Sequence, residues 1–324
     1  MNIRVWSARV SRTLLLAGSL TGLTAAQDAL QVGVVMPSAV NDLAFSQSMF
    51  DALTTLQDEG LVTFEYADGT FVVDDAAAAL RDWASQGYDL VIAHGTQYGT
   101  ALAEIAPDFP EVSFAWGTAN DTFGLENVYA YEPAADEGGY VNGVLAATLS
   151  KAGTIGVVGP IEAGDAKLYI DGFVAGAEAT NPDASVNVSY IGSFSDVALA
   201  TEAANTQLLA GADVMSGTSQ MVVGPVGVAQ TAGVPWFGTQ ADQRELAPEV
   251  VVSSQVYDWT PILRTIVENV QGGTLGGESF VATLGNGGLV MAYNDGYALP
   301  EDARAAADAA EAGIKDGSVT PLGE

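Results

Sequence analysis

Apart from its carboxylates, this chain has few residues of the types that carry out catalysis or bind metals. Its 324 residues include one histidine and no cysteine, against 40 acidic and 10 basic side chains. A Ser-His-Asp arrangement would have to use that histidine, His94, and one histidine without cysteines is a poor set of metal ligands. Acidic pairs could be proposed almost anywhere in so acidic a chain and are therefore uninformative. We expect binding instead of catalysis, with no catalytic residue, no metal and no cofactor.

His94 directly follows the apolar segment 90–93, which has the pattern of a buried strand. This places His94 at the carboxyl end of a predicted parallel strand, where doubly wound sheets bind their ligands. Two interpretations stay open from the sequence. His94 lines a ligand cleft, or it is a hydrogen-bonded structural residue.

Two segments combine an aromatic ring with polar side chains at the end of a strand. In 41–48, Asn41 or Asp42 can cap the helix that follows, while Phe45 offers a stacking face and Gln47 a hydrogen-bonding amide. Segment 190–196 repeats the arrangement with Phe194 and Asp196. Capping alone would also explain Asn41 and Asp42. If the segments face each other, their two rings can enclose a planar ligand.

The elements that position these residues alternate regularly between strand and helix. Strands are predicted near 32–36, 64–66, 90–93, 112–116, 154–158, 186–190, 214–216, 235–238, 250–254 and 288–293, with helices between most of them. Such alternation is typical of parallel βαβ units, and its restart after residue 133 indicates two doubly wound α/β lobes with a cleft between them. We assign the first lobe to 27–125 plus about 250–280 and the second to about 130–245 plus about 285–318. The chain would cross between them three times, near 118–133, 238–258 and 276–288, which favours a hinge.

Residues 1–26 have the pattern of a cleaved signal peptide. Arg4, Arg9 and Arg12 precede an apolar run, and Ala26 ends a stretch of small residues suited to signal peptidase. Without a cysteine to carry a lipid, the mature protein is expected to be free in the periplasm. Cleavage would remove three of the ten basic residues and no acidic one, leaving a net charge of about −33. Such a surface repels nucleic acid and anionic lipid.

The chain resembles the basic membrane protein family of ABC transporter substrate-binding proteins, whose best-known members bind purine nucleosides. The resemblance covers essentially all of residues 30–295. It rests on the order and spacing of five segments, namely 41–47, 172–177 with Asn181-Pro182, 192–196, 211–214 and 237–243. It implies a type I periplasmic binding fold, a purine-like small molecule and a permease of the inner membrane as partners, and a monomeric receptor.

The resemblance also implies roles for individual residues. Asp42 would bind the polar edge of a base between Phe45 and Phe194, with His94, Gly95 and Trp116 at the strand ends of the first lobe. Nucleoside-binding members carry an Asp and a Lys for the ribose where this chain has segments 238–241 and 254–257, so a purine base is favoured over a nucleoside. Trp259 would lie near the cleft or start a helix in the core. The complete predicted ligand-binding set is Asn41, Asp42, Phe45, Gln47, His94, Gly95, Trp116, Phe194, Asp196, Thr218, Gln240, Asp242 and Trp259.

The expected function is therefore that of a periplasmic receptor that passes a purine-like ligand to an ABC permease. Three alternatives stay open. In the first, a membrane signalling protein recognises the closed receptor. In the second, the ligand is another flat ring such as riboflavin. In the third, the chain is a secreted nucleoside-processing enzyme.

Overall fold

The computed structural model describes residues 29–323, so the signal peptide expected at 1–26 lies outside the described residues. The first lobe begins with β1 (Leu30–Val35), α1 (Phe45–Asp58), β2 (Val62–Ala67), α2 (Val73–Gln86), β3 (Leu90–His94), α3 (Gly99–Ile105), β4 (Ser113–Gly117) and β5 (Val128–Pro133). The second lobe follows with α4 (Ala135–Leu149), β6 (Thr154–Gly159), α5 (Gly164–Thr180), β7 (Ser185–Tyr190), α6 (Val197–Leu209), β8 (Val214–Gly217), α7 (Val223–Ala232), β9 (Trp236–Gln240) and β10 (Val251–Tyr257). Next, α8 (Thr260–Gln271) and β11 (Ser279–Ala282) belong to the first lobe, and β12 (Leu289–Tyr293) and α9 (Glu301–Lys315) to the second.

Each lobe is built on one six-stranded sheet. The strand order is β11-β5-β4-β3-β1-β2 in the first and β12-β10-β9-β8-β6-β7 in the second. All pairings in the described residues are parallel except that between β10 and β12. The interior strands are buried on both faces, as their unbroken apolar runs require. The two doubly wound α/β lobes predicted from the sequence are thus confirmed.

The lobe boundaries differ from the prediction at two places. Strand β10 hydrogen-bonds to β9 and β12, so residues 250–257 belong to the second lobe and not to the first. Strand β5 pairs with β4 and β11, which extends the first lobe to Pro133. Both strands lie next to a crossing. The sequence predicted a strand near 250–254 but not the sheet that it joins, and it predicted no strand at 128–133. The chain crosses between the sheets near 134, 258 and 283–288.

Helices α4 and α5 of the second lobe touch along their backbones. Gly139 and Gly143 of α4 lie against backbone atoms of α5, while Gly172 and Gly176 of α5 lie against backbone atoms of α4. A Cβ at any of the four positions would overlap the facing helix. The spacing of four residues on each helix puts both glycines on one face, so the helices can approach more closely than side chains normally allow.

A buried hydrogen-bond network fixes α4 against the second sheet. Asn142 donates from Nδ2 to the hydroxyl of Tyr169 at 3.0 Å and to the carbonyl of Gly238 at 3.1 Å. Its Oδ1 accepts from the hydroxyl of Ser253 at 2.7 Å. Because a buried amide left without partners is costly, these bonds specify one position of α4 relative to α5, β9 and β10.

We predict that Gly143→Ala lowers the free energy of unfolding by about 1–3 kcal/mol, because the added methyl group forces the two helices apart. Gly227→Ala is the matched control. Gly227 lies within α7 with open space at its Cβ position, so that substitution should be neutral or should stabilise by up to about 1 kcal/mol. Urea unfolding curves measure both effects. Equal effects of the two substitutions would contradict the close helix contact.

Candidate functional site

A cavity of about 220 Å³ lies between the two lobes, at the carboxyl ends of their strands. The first lobe contributes Phe45, Phe71, Gly95, Thr96, Gln97 and Thr118 to its lining. The second lobe contributes Asp165, Phe194, Ser219, Gln220 and Gln240. This is the position at which doubly wound sheets hold ligands. Of the predicted set, Phe45, Gly95, Phe194 and Gln240 line the cavity.

Phe45, the first residue of α1, is fixed from behind by His94. The two rings stack with centroids 4.0 Å apart and planes 12° from parallel. His94 is fully buried at the end of β3 and lies behind Phe45, off the cavity lining. The structural interpretation of His94 is therefore the one that the structure supports, and its contribution to the site is to hold the aromatic ring.

The hydrogen bonds of His94 define its charge and tautomer. Nε2 lies 3.3 Å from the carbonyl oxygen of Phe45, which can only accept, so Nε2 carries the proton. Nδ1 then accepts from the hydroxyl of Tyr131 at 2.9 Å. Burial lowers the pKa of His94 to about 3, although the bond to Phe45 opposes that effect. His94 is therefore neutral throughout the physiological range.

Asp42 caps the loop that leads into α1. Oδ1 accepts from the backbone N–H groups of Ala44 and Gln47, and Oδ2 accepts from the N–H of Ser46 and the hydroxyl of Ser38. The carboxylate is thus occupied within its own loop and is absent from the cavity lining. The capping interpretation accounts for Asp42, whose predicted contact with a base has no support in this geometry.

Two other residues of the predicted 41–48 segment also lie off the cavity. Asn41 is exposed to solvent. Gln47 accepts the N–H of Leu43 at 3.0 Å and lines a separate surface groove with Asp242 and Arg244. There Asp242 forms an ion pair with Arg244. Gln47 and Asp242 therefore do not share a site with Phe45.

The two predicted tryptophans are core residues. Trp116 donates from Nε1 to the carbonyl of Gly95 at 3.3 Å and stacks on Phe123. Trp259 is fully buried where α8 begins, and its Nε1 donates to the hydroxyl of Ser48 at 3.0 Å. Both support the first lobe from within, and neither ring lines the cavity.

On the second lobe, Phe194 alone of the predicted segment 190–196 reaches the cavity. Its neighbour Asp196 caps α6, accepting the N–H of Leu199 at 2.9 Å. Thr218 is fully buried beside the cavity-lining residue Ser219, but it does not itself belong to the lining. Phe194 is half-buried, so one part of its ring remains accessible.

The residue of the site that the sequence analysis missed is Asp165, in the first turn of α5. Its Oδ2 accepts from Nε2 of Gln240 at 3.3 Å and from the hydroxyl of Tyr257 at 3.1 Å. Oδ1 receives a longer contact of 3.4 Å from the hydroxyl of Thr118, across the cleft. Burial raises the pKa of Asp165, against the effect of these hydrogen bonds. Its position after a predicted strand end was the signal that could have identified it.

Gln240 ends β9 with a φ of 74°, a left-handed backbone conformation that is uncommon for residues other than glycine. Its side chain is nearly inaccessible to solvent, and its Nε2 is bound to Asp165. Strained backbone of this kind tends to occur at ligand sites, where the surrounding structure holds it in place. The cavity therefore has aromatic faces from both lobes and a carboxylate–amide pair on the second.

We predict that His94 does not titrate between pH 8 and pH 5, because its pKa is lowered by burial to about 3. Since the chain has one histidine, the untagged protein should give one histidine Cε1–H signal whose NMR shift stays constant over that range. The unfolded chain in urea is the control and should titrate near pH 6.5. By linkage, this histidine lowers the free energy of unfolding as the pH falls from about 6.5 toward 3. A folded-state midpoint near 6.5 would refute the buried, stacked histidine.

Neither a membrane span nor a metal site is evident in residues 29–323. No helix in this range is long and apolar enough to cross a bilayer. No cluster of three or more His, Cys, Asp or Glu side chains in this range could hold a metal ion.

The fold agrees with that of known proteins. Residues 29–310 match the Bmp family, described as ABC transporter substrate-binding protein PnrA-like. A purine-binding protein of Brucella abortus is 27% identical over 309 residues, which cover 94% of this chain and 86% of that protein. The transcriptional activator protein med of Bacillus subtilis is 27% identical over 263 residues, or 81% of each chain.

A solved structure of similar architecture is an ABC transporter solute-binding protein from Conexibacter woesei. It superimposes with a TM-score of 0.76 at 26% identity and covers 90% of this chain and 98% of its own. The family is one of solute-binding proteins and not of enzymes. The chain thus belongs to the Bmp family of ABC transporter substrate-binding proteins.

Proposed function

We propose that this protein is the periplasmic receptor of an ABC importer and that it binds a purine base in the cavity between its lobes. The observation that carries the proposal is that both lobes contribute phenylalanines to the same cavity, Phe45 and Phe71 from the first and Phe194 from the second. Flat rings bind to aromatic faces, while a few polar groups fix their orientation. The purine-binding relative from Brucella abortus supports the ligand class.

A base suits the cavity better than a nucleoside. Its volume of about 220 Å³ is below the range of roughly 300–1,000 Å³ that is usual for larger ligands. In segment 254–257, Tyr257 stands where nucleoside-binding members carry a lysine, and its hydroxyl donates to Oδ2 of Asp165 at 3.1 Å. Tyr257 therefore has no ammonium group to offer a ribose.

Binding between the lobes gives a mechanism for delivery. A ligand that contacts both lobes stabilises the closed form relative to the open one, because the open form offers only half of its contacts. The closed receptor is then the form that the permease would recognise. Residues 1–26, as a signal peptide, would place the mature chain in the periplasm.

We predict that adenine or another purine base raises the melting temperature of residues 27–324, while guanosine, riboflavin and glucose have smaller effects. Phe194→Ala should weaken binding of that base about 10-fold or more, because base–aromatic stacking contributes roughly 1–3 kcal/mol. Phe194 is the better test position because Phe45 is also part of the core.

The matched control for this prediction is Phe123→Ala, which removes a partly exposed phenylalanine outside the cavity and should leave affinity unchanged. Isothermal titration calorimetry measures each affinity. If no purine base binds, the proposed ligand class is wrong, and a stronger response to riboflavin or glucose would identify a different one.

A further inference from the structure

The cavity gathers buried polar atoms that have no hydrogen-bond partner. Within residues 29–323, six buried side-chain N or O atoms lack one, and three belong to the cavity-lining residues Gln97, Gln220 and Gln240. Buried polar groups are nearly always paired, so a concentration of unpaired ones in one cavity indicates groups that a ligand satisfies. Their chemical type therefore describes the ligand.

The unpaired side-chain atom of Gln240 is its oxygen, a hydrogen-bond acceptor. The hydrogen bond between Gln240 and Asp165 determines which of the two amide atoms stays unpaired. A side-chain amide can present either its oxygen or its nitrogen, and the choice follows from the hydrogen-bond network. Oδ2 of Asp165 lies 3.3 Å from Nε2 of Gln240, which donates to it, as the hydroxyl of Tyr257 does. Oε1 of Gln240, which is buried and unpaired, is then left for the ligand.

Asp165 adds a second acceptor next to the first. Its Oδ2 is occupied by Gln240 and Tyr257, whereas, among the residues described, the one contact of its Oδ1 with another side chain is that with Thr118, at 3.4 Å. That hydroxyl is also within 3.0 Å of the hydroxyl of Thr96, which competes for its proton. Oδ1 therefore retains most of its capacity to accept a hydrogen bond.

Gln220 on the same lobe and Gln97 on the opposite lobe also bring unpaired amide groups to the cavity. The orientation of these two amides is not set by a partner as that of Gln240 is, so they do not define a donor or an acceptor. The second lobe offers two acceptors with a defined position, Oε1 of Gln240 and Oδ1 of Asp165. A ligand that matches this side has N–H donors on the edge that faces it.

We propose that Asp165 and Gln240 determine specificity by accepting hydrogen bonds from an exocyclic amine on the bound ring, so that the site excludes rings with a carbonyl oxygen there. This inference rests on the proposed function and names the class of base within it. A carbonyl oxygen turned toward these two residues would meet two acceptors and repel both. The mismatch leaves buried groups unpaired, which is the strongest basis for discrimination between ligands of equal size.

Three rings of similar size test the proposal, namely adenine, unsubstituted purine and hypoxanthine. They carry at the same carbon an amine, a hydrogen and a carbonyl oxygen. In calorimetry with the mature chain, we expect adenine to bind about 10- to 100-fold more tightly than hypoxanthine, with purine between them.

Asp165→Asn tests the residue itself. Its amide oxygen would accept from Gln240 and Tyr257, so its NH2 group would take the place of Oδ1 and donate into the cavity. The ratio of adenine to hypoxanthine affinity should therefore fall at least 10-fold. Asp171→Asn, on the same helix but outside the cavity lining, is the control and should leave the ratio unchanged.

Gln240→Asn keeps the test decisive if Asp165→Asn does not fold. Asparagine tolerates the left-handed backbone at this position, and its shorter side chain withdraws the acceptor, so the ratio of adenine to hypoxanthine affinity should fall. Equal affinities for adenine and hypoxanthine, or a ratio unchanged in whichever of these variants folds, would overturn the inference and leave the proposed function standing. Failure of all three rings to bind would overturn both.

Discussion

The site depends on the backbone contact between α4 and α5. Helix α5 begins at the cavity and carries Asp165 in its first turn, while α4 follows the crossing from the first sheet. Four glycines let the helices meet without intervening side chains, and Asn142 ties α4 to the strands behind it. Asp165 is therefore positioned by rigid backbone and not by a flexible loop. Such support is what holds a binding group accurately enough to discriminate between ligands.

The two lobes hold their aromatic side chains differently. Phe45 is part of the first core and lies flat on the neutral His94. Phe194 lies on the connection between β7 and α6, half-exposed. Unpaired polar groups come from both lobes, Gln97 on the first and Gln220 and Gln240 on the second. Under the proposed function, a ligand would meet both sets when the lobes close around it.

The sequence predicts the architecture well because the alternation of buried strands and amphipathic helices is a local pattern. It also locates the strand ends, and hence Phe45, Gly95, Phe194 and Gln240. The sequence does not predict the direction of a side chain, which decides whether a residue near the cavity lines it. His94, Trp116 and Trp259 lie near the cavity but point into the core, and Asp42 and Asp196 turn back to cap helices. Asp165 was missed because, among 40 acidic side chains, its place after a predicted strand end does not by itself distinguish it from the others.

The stacking of Phe45 on His94 also bears on how receptors of this kind diversify. A substitution at either residue disturbs a packed core and therefore lowers stability. We expect this stacked pair to stay unchanged when the ligand changes. Phe194 and Gln220 on the second lobe and Phe71 on the first are more exposed, so substitutions there disturb less of the core. We therefore expect ligand preference to change most readily at these positions, with the stacked pair left as a constant part of the cavity.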